Sequence, residues 1–95
     1  MTNKRYVSFA LGKRIAHLRK QKGLSQLEFA LESGLAKSYL CELESGKRNP
    51  SLFVLEKVCL ALGITLSALF EGVGPISPEQ WKRLTEGQQE FPDGK

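Results

Sequence analysis

A chain of 95 residues that is 41% apolar and 25% charged can build one modest hydrophobic core, which excludes a pair of domains and a charge-dominated disordered tail. The net charge of +4 is uneven: residues 1–50 carry ten Lys/Arg against four Asp/Glu, a net of +6, and residues 51–95 carry four against six, a net of −2. A basic half joined to a mildly acidic one fits a face made for a polyanion, or a solvated surface with no partner.

Residues 1–7 are short, polar and basic (Lys4, Arg5) and read as a loose arm. A first helix follows from about Ser8 to Lys22, with Leu11, Ile15 and Leu18 as an inward stripe at i, i+4, i+7. Lys13, Arg14, Lys20 and Lys22 fall on its other faces, and Gly23 ends it. His17, the only histidine, has no second ligand or nucleophile at a readable spacing, so it reads as a surface or half-buried side chain.

The stretch Leu24 to Gly46 reads as two short helices joined by a tight turn. Ser25 with Glu28 three residues on forms a capping box. Gly34 stands where the helix must stop and the chain reverse, a position suited to positive φ. A second helix runs from about Ala36 to Ser45; Leu40 and Leu43 share its inner face, leaving Lys37, Ser38, Cys41 and Glu42 outward. Two helices, a short glycine turn and a polar outer face describe a helix-turn-helix, whose second helix can enter a DNA major groove.

The loop Gly46-Lys47-Arg48-Asn49-Pro50 concentrates two cations beside a glycine at which the backbone could approach another molecule closely. Pro50 forbids helical continuation, and Ser51 caps a fourth helix reaching about Leu62, with Leu52, Leu55, Val58 and Leu62 toward the core. A short fifth helix spans about Ser67 to Phe70. Ser77-Pro78-Glu79 then opens a short sixth helix, about 78–86, with Trp81 and Leu84 as its apolar contacts and a frayed tail beyond. The organisation expected is an arm (1–7), an all-α helix-turn-helix domain (8–71) and a C-terminal extension (72–95).

Cys41 and Cys59, eighteen apart with no CxxC or companion histidine, argue against a zinc site and support no disulfide framework, and no cofactor site is expected. Without a signal-peptide pattern or an apolar run near eighteen residues, the chain is expected in the cytoplasm. An enzyme is disfavoured because no paired acids, Gly-rich phosphate loop or nucleophile constellation can be assembled. Cys41 reads as an inert thiol in preference to a redox switch.

Taken in order, LSQ at 24–26, Gly34, SYL at 38–40, ESGKRNPSL at 44–52 and LEKVCLALGITLSALF at 55–70 resemble the Cro/CI-type (XRE family) helix-turn-helix domains of phage repressors and small bacterial regulators, over about residues 8–70. The resemblance implies a five-helix lambda-repressor-like DNA-binding domain, here with an appended sixth helix. It further implies a repressor or restriction–modification controller that binds a palindromic operator as a homodimer, or an antitoxin or adaptor using the same fold. It places Lys37, Ser38 and Glu42 at base-reading positions with Tyr39 and Cys41 beside them, Ser25, Gln26, Lys47, Arg48 and Asn49 on phosphates, and Arg19 with Glu44 in a structural ion pair. Chemically, lysine can donate to guanine and serine can donate or accept, while Glu42 either reads cytosine N4 or acts as a repulsive filter. Leu27 and Leu31, and Phe53 and Leu60, stand where the family is commonly polar. Leu60, Leu66, Leu69 and Phe70, covered by Trp81, are therefore expected at a twofold dimer interface, and Leu27 and Leu31 against the C-terminal helix or a protein partner.

Overall fold

The computed structural model describes residues 6–73 together with Glu79 and Lys82. Five helices follow one another: α1 (Tyr6–Gln21), α2 (Gln26–Ser33), α3 (Lys37–Glu44), α4 (Leu52–Leu62) and α5 (Leu66–Leu69), with no strand among the described residues. Glu79 and Lys82 are both helical. The rest of the expected sixth helix, Trp81 and Leu84 within it, and the arm residues 1–5 lie outside the described residues.

Each helix boundary has a local chemical cause. Ser25 Oγ accepts from the Glu28 N–H at 3.0 Å while Glu28 Oε1 accepts from the Ser25 N–H at 2.9 Å, which completes the capping box. Gly34 ends α2 at φ 75°, and its N–H bonds the Ala30 carbonyl. Ser51 Oγ caps α4 through the Val54 N–H, and Thr65 Oγ1 caps α5 through the Ala68 N–H. α1 begins at Tyr6, two residues before the expected start: nothing at Tyr6-Val7 breaks a helix, and Ser8 is buried within it.

One core unites the helices. Ile15, Phe29, Leu40, Leu43, Val58 and Leu69 are its fully buried large side chains, with Leu11, Leu55, Cys59 and Leu62 around them. α1 packs on α3, α2 on α3 and α4, and α4 on α5. Residues 55, 58, 59 and 62 form the inward stripe of α4 at i, i+3, i+4, i+7. Leu52, expected inside, is 70% exposed, because it occupies the first position of α4, on the edge of that stripe. Burial pushes the Cys59 thiol up, which leaves less of the reactive thiolate.

Leu69, expected at a dimer surface, is instead wholly buried. Arg14 accounts for its placement: Nε donates to the Leu69 carbonyl at 3.1 Å and Nη2 to the Ala68 carbonyl at 2.9 Å, drawing the end of α5 onto α1. The guanidinium meets the negative end of that short helix.

The tightest joint is between α1 and α3. A Cβ on Gly12 would stand 2.5 Å from the Leu43 carbonyl oxygen and 2.6 Å from that of Glu44. Gly46, at φ 85°, brings the chain after α3 equally close to α1, where an added Cβ would lie 2.9 Å from Phe9 Cα. The close approach expected of Gly46 is thus made to its own chain. Gly12→Ala should lower stability by about 1–3 kcal/mol through overpacking against a rigid backbone, reversing the roughly 1 kcal/mol gain that alanine gives at an unconstrained helix position. The midpoint of urea unfolding checks the sign.

Candidate nucleic-acid interface

α3 turns Leu40 and Leu43 into the core, which leaves its opposite face to solvent. Lys37, Ser38, Glu42 and Ser45 are exposed on it, and Cys41 and Tyr39 are half-buried at its two flanks. The helix is held from both sides, by different chemistry.

On the flank toward α1 and α2, Arg19 and Glu44 form a bidentate pair: Nε to Oε2 at 2.7 Å and Nη2 to Oε1 at 3.0 Å, with side chains 8% and 6% exposed. Arg19 Nη1 also donates to the Leu24 carbonyl at 2.8 Å, at the entry to α2. Gln26 joins the network, its Nε2 donating to Glu44 Oε1 at 3.0 Å while its Oε1 accepts from the Cys41 thiol at 3.1 Å. Gln26 therefore braces Cys41, whereas Lys37 reaches only to 4.0 Å from the same sulfur. Ser25 Oγ is occupied as an acceptor by its capping bond, which leaves its O–H as a donor.

On the other flank, Arg48 Nε donates to Glu42 Oε1 at 2.7 Å, and the guanidinium lies 5.0 Å from the centre of the Tyr39 ring. Arg48 is thus folded back onto the recognition face in the free protein. Both partners of that pair are about half exposed (49% and 47%), so it is worth about 0–1 kcal/mol. Lys47 and Asn49 are exposed beside it.

The cations of α1, and Lys22 just after it, divide sharply. Arg14 is engaged on α5, Arg19 on Glu44, and Lys22 Nζ donates to the Ala61 carbonyl at 3.2 Å, near the end of α4. Lys13, His17 and Lys20 remain on the surface, and they line an open depression of about 480 Å³ shared with Ala16, Arg19, Gln26, Cys41, Glu44 and Ser45. Lys13 Nζ sits 5.2 Å from the Phe9 ring centre, which orients it without neutralising it. The 13, 17, 20 spacing is visible in the sequence; which cations of α1 are consumed at helix ends is not. Of the residues expected at an interface between copies, Leu60 is 82% exposed and Leu66 36%, and Phe70 is half-buried against the core. Phe53, 64% exposed, lies on the same side of α4 as Leu60.

Arg19→Ala should cost about 3–5 kcal/mol, since it strands a buried carboxylate. The apolar double variant Arg19→Met/Glu44→Leu should recover most of that loss. A urea-unfolding double-mutant cycle reads both values.

This arrangement has known counterparts. The helix-turn-helix family model matches residues 15–69. The control protein C.MunI of a Mycoplasma species is 44% identical over 68 residues, covering 70% of this chain and 92% of that protein. The immunity repressor protein of Bacillus phage phi105 is 41% identical over 70 residues, 74% of this chain but 49% of the repressor, so the chain spans about half of that relative. Among solved structures, the restriction-modification controller protein C.AhdI from Aeromonas hydrophila superposes with a TM-score of 0.64 at 44% identity, over 65% of this chain and 94% of that one. The chain belongs to the XRE-type helix-turn-helix family of DNA-binding regulators.

Proposed function

We propose that this protein is a sequence-specific transcriptional regulator of the controller or repressor type, which binds a palindromic operator in double-stranded DNA as a homodimer. The observation that carries this reading is α3 itself: an amphipathic helix whose inner leucines are sealed and whose outer face offers Lys37, Ser38 and Glu42 to an incoming groove. Lys37 donates to guanine, Ser38 donates or accepts, and Glu42 accepts from cytosine N4 or rejects other edges. Tyr39 and Cys41 border the reading positions, and Ser25, Gln26, Lys47, Arg48 and Asn49 take phosphates. Kinship with a controller and a phage repressor supports the same reading. Such a task requires no catalysis, metal or cofactor and belongs in the cytoplasm; among the described residues no helix is long and apolar enough to cross a membrane.

Dimerisation would use the exposed side of α4 and the start of α5. Phe53, Leu60 and Leu66, with the half-buried Phe70, make its apolar stripe. A twofold axis there would set two α3 helices about 34 Å apart, in successive major grooves. A second reading rests on Leu27 and Leu31, which are 53% and 74% exposed on the outer side of α2. These residues suit a protein partner, as in an antitoxin or adaptor.

The double variant Lys37→Ala/Ser38→Ala should keep its fold and its general affinity for duplex DNA while losing preference for sites selected from a random pool by wild type. An unchanged preference would overturn the reading. Leu60→Asp should sediment as a monomer at concentrations where wild type is a dimer, and its operator affinity should fall with it.

A further inference from the structure

Two clusters of cations could grip DNA, and the structure puts them on opposite flanks of α3. Arg48 lies against Glu42 and Tyr39 on one flank, with Lys47 exposed next to it in the loop. Lys13 and Lys20 of α1 lie on the other, rimming the depression whose walls are Gln26, Cys41 and Ser45. A helix with its side chains is about 10–12 Å across, close to the roughly 12 Å width of the major groove. A helix seated in that groove therefore has a phosphate strand along each flank.

We infer, building on the DNA-binding reading above, that Lys13 and Lys20, with His17 between them as an N–H donor, form a second phosphate-binding edge supplied by α1 from outside the helix-turn-helix. This edge takes one sugar–phosphate strand together with Ser25 and Gln26, while the loop 47–49 takes the other. Three features of the depression favour an anion. Its one carboxylate, Glu44, is covered and neutralised by Arg19 and accepts from Gln26, so it opposes no incoming charge. Its rim cations have no ion-pair partner among the described residues, unlike Arg14, Arg19 and Arg48. Its remaining polar groups, on Gln26, Cys41 and Ser45, include no carboxylate. Lys13, His17 and Lys20 at i, i+4, i+7 present a row along the helix, as a row of phosphates requires.

The test uses the full chain and two fluorescent duplexes, one of random sequence and one selected by wild type, titrated from 50 to 200 mM salt. Lys13→Gln/Lys20→Gln should reduce the slope of log K against log salt by about 1.8 for each bound protomer, at roughly 0.9 per phosphate contact. Across that salt range the loss of affinity would then be about tenfold smaller per protomer. Both duplexes should respond alike, with the preference between them retained. Lys22→Gln removes the same kind of charge from the α4 side and should leave the slope nearly unchanged. A slope unaltered in the double variant, or altered as much by Lys22→Gln, overturns the second edge. Loss of wild-type preference for the selected duplex would instead overturn the DNA-binding reading itself.

Discussion

The ion pair between Arg19 and Glu44 is the joint on which the recognition surface depends. It ties the last turn of α1 to the last turn of α3, and through the Leu24 carbonyl and Gln26 it also holds the start of α2. Three helices thus meet at one guanidinium–carboxylate fork. Removed from water, such a fork adds little net stability, because desolvation offsets the Coulomb attraction. Its value lies in geometry. A planar, bidentate contact, with Gln26 as a further donor to Glu44 Oε1, fixes the roll of α3, and that roll decides which side chains look outward.

Close packing reinforces the same joint. Gly12 lets α1 lie directly against the carbonyls of Leu43 and Glu44, and Gly46 repeats the approach against Phe9. With backbones this near, α3 has no room to slide. The polar fork and the two glycine contacts together convert an eight-residue helix, too short to be stable alone, into a rigid rod.

Charge is then distributed by use. Arg14 and Lys22 bind carbonyls near the ends of α5 and α4, where a cation meets the negative end of a helix, and Arg19 compensates Glu44. Among residues 6–73, the cations left on the surface collect around α3, apart from Lys57, which lies 4.8 Å from the Phe53 ring on α4. Part of the basic excess of the first fifty residues is therefore scaffold, and part of it stays exposed around α3. Arg48 is paired with Glu42 on an exposed face, where such a pair contributes only about 0–1 kcal/mol.

Local signals in the chain determined most of the architecture. The Ser25/Glu28 box, Gly34, Ser51 and the 3.6-residue spacing of Leu11, Ile15, Leu40, Leu43, Leu55 and Val58 each act within a few residues, so they specify the helices and their inner faces without knowledge of neighbours. Tertiary structure decided whatever depends on which surfaces meet. Leu69 went inward and Leu52 outward, because a residue at a helix end is covered only if another element arrives there. Gly12, unremarkable in a helical run, became a contact point because α3 crosses α1 at that residue. The sorting of the cations at 13–22 into clamps for other helices and an exposed row beside α3 likewise follows from three-dimensional proximity. Such partners lie tens of residues away along the chain, where no local spacing can announce them.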